Sequence, residues 1–141
     1  MKKIILDCDP GQDDAVALVL AMSAPDEIDL LGVTAVAGNV PLNLTQRNAR
    51  IMCEMCHRPD VKVYAGAEKP MAQELVTAEH VHGKSGLDGI EIYEPSHSLE
   101  EKHAIDFIIE SCLAAEHNSL ILVPTGPLTN IGLAIDREPD I

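Results

Sequence analysis

The chain has 141 residues and a formal net charge of −13, from 23 acidic and 10 basic side chains. Its length fits one domain, and its 46% hydrophobic residues are enough for a core, which excludes disorder of the whole chain. The acidic balance and the absence of Trp argue against nucleic acid or an anionic membrane as a partner, because these need a basic face or stacking aromatic side chains.

The N-terminus and the cysteines are typical of a cytoplasmic protein. The apolar run over residues 4–6 is stopped by Asp7, so it is too short for a secretory signal, and no run is long enough to span a membrane. Four scattered cysteines suit reduced thiols better than a secreted disulfide framework. We therefore expect a cytoplasmic location.

Strand and helix patterns alternate along the chain. The pattern over residues 14–23 is helical and apolar on nearly every side, so we expect that helix to be largely buried. Ser98 followed by Glu101 forms a capping-box pattern, which predicts the start of a helix after an unpatterned segment over residues 66–97. The predicted strands cover residues 3–6, 28–36, 61–65 and 120–123, and the other predicted helices cover residues 42–55 and 128–137.

This alternation, with near-continuous apolar strands, predicts a doubly wound, Rossmann-like α/β fold with an open parallel sheet. In such sheets, ligands bind outside the carboxyl ends of the strands. Four segments follow those ends and are therefore candidates for the site: Asp7–Asp14, Gly38–Asn39, Gly66 onward, and Thr125–Asn130.

The first of these segments is strongly acidic, with four carboxylates in eight residues: Asp7, Asp9, Asp13 and Asp14. Pro10-Gly11 reverses the chain and brings the later pair back beside the earlier one. One acid could simply cap the following helix, but the repulsion among four is costly unless a cation compensates. An all-oxygen set suits Ca²⁺ or Mg²⁺ rather than zinc, and the Thr125 turn could add a backbone carbonyl.

Two other motifs suggest alternative functions. Asp7-x-Asp9 also resembles the aspartyl-phosphate phosphatases, with Asp7 as the nucleophile, although Gly11 stands where those proteins usually carry Thr or Val. Gly83-Lys84-Ser85 resembles the end of a Walker A loop, but Ala78 replaces the expected glycine and no strand precedes it. We reject the second motif and keep the first as an alternative.

The cysteine and histidine pairs are weaker signals. Cys53-x-x-Cys56 lies toward the C-terminal end of a predicted helix, where the dipole disfavours a thiolate, so core or half-buried cysteines are expected. His80 and His82 flank one residue in the unpatterned segment. A substrate contact by His82 and a merely exposed pair both fit the sequence.

The motif Asp7-x-Asp9-Pro10-Gly11-x-Asp13-Asp14-Ala15 resembles the N-terminal signature of the calcium-dependent nucleoside hydrolases, the inosine–uridine-preferring family. Further blocks occur in family order and extend the resemblance over essentially the whole chain. They are Val36-Ala37-Gly38-Asn39, Val63-Tyr64-Ala65-Gly66, His82-Gly83-x-x-Gly86-Leu87-x-Gly89, and Pro124-Thr125-Gly126-Pro127-Leu128-Thr129-Asn130.

The resemblance implies hydrolysis of the N-glycosidic bond of purine and pyrimidine ribonucleosides to ribose and free base, in nucleoside salvage. It implies that Asp9 and Asp14 bind Ca²⁺ together with the main-chain carbonyl of Thr125. It further implies that Asp9 is the general base toward a calcium-activated water. Carboxylates also suit this reaction because its transition state resembles a ribosyl oxocarbenium ion.

The resemblance also implies a substrate site. Asp13 and Asn39 would hold ribose hydroxyls, and His82 would lie near the nucleobase. Asp7 belongs to the signature and is expected to support the site rather than to bind the metal.

Members of the family are considerably longer, and their second half resembles further α/β units that carry another Asp ligand to calcium and a histidine that acts as the acid toward the leaving base. Residues 1–141 are therefore expected to be one α/β domain that corresponds to the N-terminal part of a longer, here apparently truncated, family domain. The alternative is a non-catalytic chain that retains only calcium or ribose binding. An open sheet edge further predicts self-association into a homo-oligomer.

Overall fold

The computed structural model describes all residues from 1 to 141 and contains one five-stranded sheet. The strands run in the order β4-β3-β2-β1-β5 and every neighbouring pair is parallel, which confirms the predicted α/β fold class. The strands are β1 (Lys2–Cys8), β2 (Ile28–Ala35), β3 (Val63–Ala65), β4 (Leu99–Glu100) and β5 (Leu120–Pro124).

Five helices cover the sheet or lie in its connections, and none of them is long and apolar enough to cross a membrane. They are α1 (Gln12–Ser23), α2 (Leu42–Met55), α3 (Glu79–His82), α4 (Ala104–Ala114) and α5 (Thr129–Arg137). The chain winds outward from β1 to β4, and α4 then returns it to β5 on the other side of β1. This reversal leaves the carboxyl ends of β1 and β5 side by side, at the position where doubly wound sheets bind ligands.

The sheet has a hydrophobic core on each face, because successive side chains of a strand point in opposite directions. Ile4, Leu6 and Cys8 of β1 belong to the core that contains α1 and α2, whereas Ile5 packs with α4 and α5. All four cysteines are free thiols, two of them buried and two half-buried, as the sequence predicts. Burial raises the pKa of Cys53 to about 12, so that thiol stays protonated.

Helix α1 is less buried than its composition predicts. Leu18, Ala21 and Met22 pack into the core, but Val16 and Leu20 remain 69% and 66% exposed. A single layer of helices covers this face, so one stripe of α1 meets the sheet and the opposite stripe faces outward.

The predicted helix start at Ser98 is wrong. Residues Leu99–Glu100 instead pair with β3 as the edge strand β4, and the helix begins at Ala104. Its cap is His103, whose Nδ1 accepts a hydrogen bond from the backbone N–H of Ile105 at 3.2 Å. Strand pairing, a tertiary contact, therefore overrides the local capping pattern.

Candidate functional site

Asp7 is a structural member of the acidic turn, at the end of β1. It is 0% exposed, and its Oδ1 accepts hydrogen bonds from Thr34 Oγ1 at 2.6 Å and from Asn130 Nδ2 at 2.8 Å. Its Oδ2 has no hydrogen-bond partner in the protein. Burial raises the pKa of Asp7 to about 6, although the Thr34 and Asn130 hydrogen bonds lower it in part. Its carboxylate thus links β1, β2 and α5, which agrees with the expected supporting role.

Asp9 lies where the chain leaves β1 and is 6% exposed. Its backbone N–H donates to Asp14 Oδ2 at 2.9 Å, which ties the strand end to the first turn of α1. Asn39, after β2, donates twice: its backbone N–H to Asp9 Oδ2 at 2.7 Å and its Nδ2 to the Asp9 carbonyl at 2.8 Å. The structure therefore brings together three of the predicted site residues, from two of the four candidate segments.

The charge of Asp9 is strongly affected by this environment. Burial raises the pKa of Asp9 to about 7, the Asn39 N–H lowers it in part, and the neighbouring Asp14 carboxylate raises it further. None of the ion pairs of the chain involves Asp7, Asp9 or Asp14, so no basic side chain compensates these acids.

Two glycines allow the backbone to approach the Asp9 carboxylate closely. A Cβ atom at Gly38 would lie 2.1 Å from Asp9 Oδ2, and one at Gly126 would lie 2.7 Å from Asp9 Oδ1. The turn that carries Gly126 is fixed to β1, since the backbone N–H of Thr125 donates to the Asp7 carbonyl at 2.8 Å. The Thr125 turn therefore lies beside Asp9, as expected for two segments that follow the carboxyl ends of neighbouring parallel strands.

The four carboxylates do not form one cluster. Asp13 is exposed and its side chain makes no hydrogen bond, whereas Asp9 and Asp14 are in contact. No three side chains among His, Cys, Asp and Glu are placed to hold a metal ion by themselves. Two buried, uncompensated carboxylates with a backbone turn beside them nevertheless fit a hard cation, because such ions accept carbonyl as well as carboxylate oxygens.

His82 ends the short helix α3 and lies against the acidic turn. Its Nδ1 is hydrogen-bonded to Gln12 Oε1, and a Cβ atom at Gly11 would lie 2.6 Å from the same Nδ1. A cleft of about 390 Å³ opens on another side of the site and is lined by residues that include Gly38 and Pro127. That volume is within the range of small-molecule pockets.

Two buried amides that organise the site have no role assigned from the sequence, although Asn130 ends one of the four candidate segments. Asn130 is fully buried, and its Oδ1 accepts from the backbone N–H of Ala67 at 2.8 Å. Asn48 of α2 donates to the Pro10 carbonyl at 3.2 Å and to the Ser85 carbonyl at 2.9 Å. Asn48 was detectable, since a polar residue on the apolar face of a predicted helix indicates a buried hydrogen bond.

Comparisons with known proteins identify the family. The family model described as inosine-uridine preferring nucleoside hydrolase matches residues 4–141. The chain belongs to this family. It is 45% identical over 142 residues to the inosine-uridine preferring nucleoside hydrolase of Crithidia fasciculata, and 43% identical over 141 residues to the pyrimidine-specific ribonucleoside hydrolase RihB of Escherichia coli. Each alignment covers 99% of the chain and 44% of the relative.

Solved nucleoside hydrolases share the fold. A plant nucleoside hydrolase superposes with a TM-score of 0.90 at 32% identity, covering 98% of this chain and 43% of that one. A purine-preferring ribonucleoside hydrolase from Gardnerella vaginalis gives 0.86 at 34% identity, covering 99% and 45%. The chain thus spans less than half the length of the nucleoside hydrolases that it matches.

The family match confirms the resemblance to nucleoside hydrolases that the acidic motif of residues 7–15 indicates. The phosphatase alternative also fails on geometry, because Asp7 is fully buried with Oδ1 bound to two donors, whereas a nucleophile must reach its substrate. The relatives named above differ in stated base preference, from pyrimidine to purine, so membership alone does not fix the nucleobase.

Proposed function

We propose that the protein hydrolyses the N-glycosidic bond of purine and pyrimidine ribonucleosides to ribose and free base, in cytoplasmic nucleoside salvage. The observation that supports this most is the contact of Asp9 with both Asp14 and Asn39 at the reversal point of the sheet, in a chain of the nucleoside hydrolase family. Loss of the base leaves a ribosyl cation-like transition state, which nearby carboxylates stabilise.

Asp9 is the proposed general base. A carboxylate with a pKa of about 7 accepts a proton from an attacking water more readily than an ordinary aspartate does, and about half of it is ionised at pH 7. Asn39 holds this carboxylate by its N–H, and its position beside Asp9 suits a ribose hydroxyl contact as well. Asp13 is exposed at the same turn and is the second proposed ribose ligand.

Asp9, Asp14 and the main-chain carbonyl of Thr125 would hold Ca²⁺. When bound, the cation would orient ribose hydroxyls and make a nearby water more acidic. The support for this choice is the donor chemistry, since all three groups offer oxygen and no Cys or His side chain joins them.

Ribose release from inosine and from uridine tests the proposal. With Ca²⁺ present, we expect release by the unsubstituted chain and a loss of at least about 100-fold in Asp9→Asn, which keeps the shape but cannot accept the proton. Asp136→Asn, at an exposed position of α5, is the matched control and should retain activity. Undiminished release by Asp9→Asn would show that another group is the base.

A second candidate is a non-catalytic chain that binds only calcium or ribose. It is favoured by the presence of only two contacting carboxylates and by the 44% coverage of the relatives. Calorimetry with Ca²⁺ and with ribose on this chain would then give binding in the absence of turnover. Robust ribose release would exclude this candidate.

We also propose that the chain forms a homo-oligomer. The support is strand β5, which within residues 1–141 pairs with β1 on one side only.

A further inference from the structure

Gln12 occupies a position of the acidic turn to which the motif assigns no role, and it is the first residue of α1. Its exposed side chain connects the last residue of α3 to the segment that follows this helix. Oε1 is hydrogen-bonded to Nδ1 of His82, and Nε2 donates to the backbone carbonyl of Asp88 at 3.0 Å. Neither metal nor ribose binding, as proposed above, involves this residue.

The partner at Asp88 fixes which way the Gln12 amide points. A backbone carbonyl can only accept a hydrogen bond, so the NH₂ end of the amide must face it. The carbonyl end then faces His82, and this oxygen can only accept as well. The proton between the two side chains must therefore reside on Nδ1 of His82. In the neutral imidazole, Nε2 is then unprotonated.

The segment from His82 to Asp88 is held independently of Gln12. The backbone N–H of Asp88 donates to the His82 carbonyl at 3.1 Å, and Ser85 Oγ donates to Asp88 Oδ1 at 2.6 Å. Asn48 of α2 additionally donates to the Ser85 carbonyl at 2.9 Å. The backbone position of His82 is thus set by the loop and by α2, which leaves the imidazole ring as the group that Gln12 controls.

We propose that Gln12 is a positioning residue that holds His82 as its Nδ1–H tautomer and so presents Nε2 as a hydrogen-bond acceptor. Combined with the proposed function, on which this second step rests, the acceptor faces ligands that offer an N–H group. Uracil and hypoxanthine are nucleobases of this kind, because each offers an N–H group on its lactam edge. The residue at position 12 would therefore contribute to base recognition without touching the base.

Nitrogen-15 NMR of the histidine rings tests the tautomer directly. Long-range ¹H–¹⁵N spectra, at a pH where the imidazoles are neutral, distinguish a protonated from an unprotonated ring nitrogen, and His82→Asn identifies the signals of His82. We expect the Nδ1–H form in the unsubstituted chain and in Gln12→Glu, which keeps an acceptor. In Gln12→Leu, which has none, we expect the Nδ1–H form to become a minority.

His103 is an internal reference in the same spectra. Its Nδ1 accepts from the backbone N–H of Ile105, so it carries its proton on Nε2, and this pattern should persist in every variant that folds. An Nε2–H tautomer of His82 in the unsubstituted chain would overturn the proposal. An unchanged Nδ1–H tautomer in Gln12→Leu would overturn it too.

The tautomer can be measured whether or not the chain releases ribose, so failure of the proposed function is detected separately, by the absence of ribose release. In a chain that hydrolyses uridine, we expect Gln12→Leu to raise KM by roughly 2- to 10-fold, the value of one hydrogen bond, with a smaller change in kcat. An unchanged KM, together with a changed tautomer, would contradict the base contact and leave Gln12 as the residue that sets the tautomer.

Discussion

The acidic turn keeps its shape because fully buried amides hold the strand ends around it. The side chain of Asn130 contacts three segments: Nδ2 donates to Asp7 Oδ1 at 2.8 Å and to the Ala35 carbonyl at 3.2 Å, while Oδ1 accepts from the N–H of Ala67. A Cβ atom at Gly66 would lie 2.2 Å from this same Oδ1. One residue of α5 therefore aligns β1, β2 and the end of β3.

Asn130→Ala should lower the free energy of unfolding by about 3 kcal/mol, because it leaves the buried N–H of Ala67 without a partner, removes one of the two donors to the buried Asp7 Oδ1, and opens a cavity. Urea denaturation measures the change. Asn43→Ala, at an exposed position of α2, is the control and should stay within about 0.5 kcal/mol of the unsubstituted chain. A loss below about 1 kcal/mol for Asn130→Ala would show that water replaces the missing amide.

At the residue scale, the sequence predicts contacts between side chains that are close in the chain or that follow neighbouring strands. Asp9 and Asp14 are close in sequence, and Asn39 follows a strand that neighbours β1, so strand order alone predicts their approach. The contact of Gln12 with His82 spans 70 residues and depends on how the loop after β3 folds back. No spacing in the sequence encodes it. The catalytic and binding roles of Asp9, Asp14 and Asn39 stay predictions.

At the scale of elements, α2 is the anchor for the long connection between β3 and β4. Glu54 near the end of α2 accepts hydrogen bonds from Ser96 Oγ and from the backbone N–H of His97, both at 2.7 Å. These hydrogen bonds lower the pKa of Glu54 to about 2. The ionised side chain therefore holds the connection immediately before it enters β4.

The stabilisation by Glu54 should depend on pH. Because its folded-state pKa lies below the usual value of 4.5, the contribution is complete above about pH 4.5 and is lost as the pH falls toward about 2. The difference in unfolding free energy between the unsubstituted chain and Glu54→Gln should therefore shrink over that range, in urea denaturation series. Glu27→Gln, at an exposed position, should show no such trend. A gap that stays constant from neutral pH to about pH 3 would contradict this role of Glu54.

The elements themselves were predictable to different extents. Helix α2 begins and ends where its periodicity predicts, and β1, β2 and β5 differ from their predicted bounds by a few residues at most. The two-residue strand β4 has no pattern of its own and forms only because β3 offers it an edge. That pairing moves the start of α4 from Ser98 to Ala104, a consequence that no local signal contains.

At the scale of the whole molecule, the two edges of the sheet differ. The outer edge is β4, which has two residues, one of them Glu100. The opposite edge is β5, with five residues of which Leu120, Ile121, Leu122 and Val123 are apolar. Long apolar edges pair readily with other strands, whereas short charged edges resist pairing. The net charge of −13 opposes association of the chain in general, whereas the apolar edge of β5 favours it. We therefore expect any specific contact between copies of the chain to use the β5 edge.

We therefore expect the chain to self-associate through β5, with a concentration-dependent mass above that of the monomer in light scattering. Ile121, which is 42% exposed, is the position to alter, and Ile121→Lys should shift the mass toward the monomer because a lysine on an edge strand blocks pairing. Val76→Lys adds the same charge at an 83% exposed position outside the sheet and should leave the mass unchanged. Equal effects of both lysines would indicate association driven by net charge. A monomer at high concentration in the unsubstituted chain would show that the β5 edge does not pair in solution.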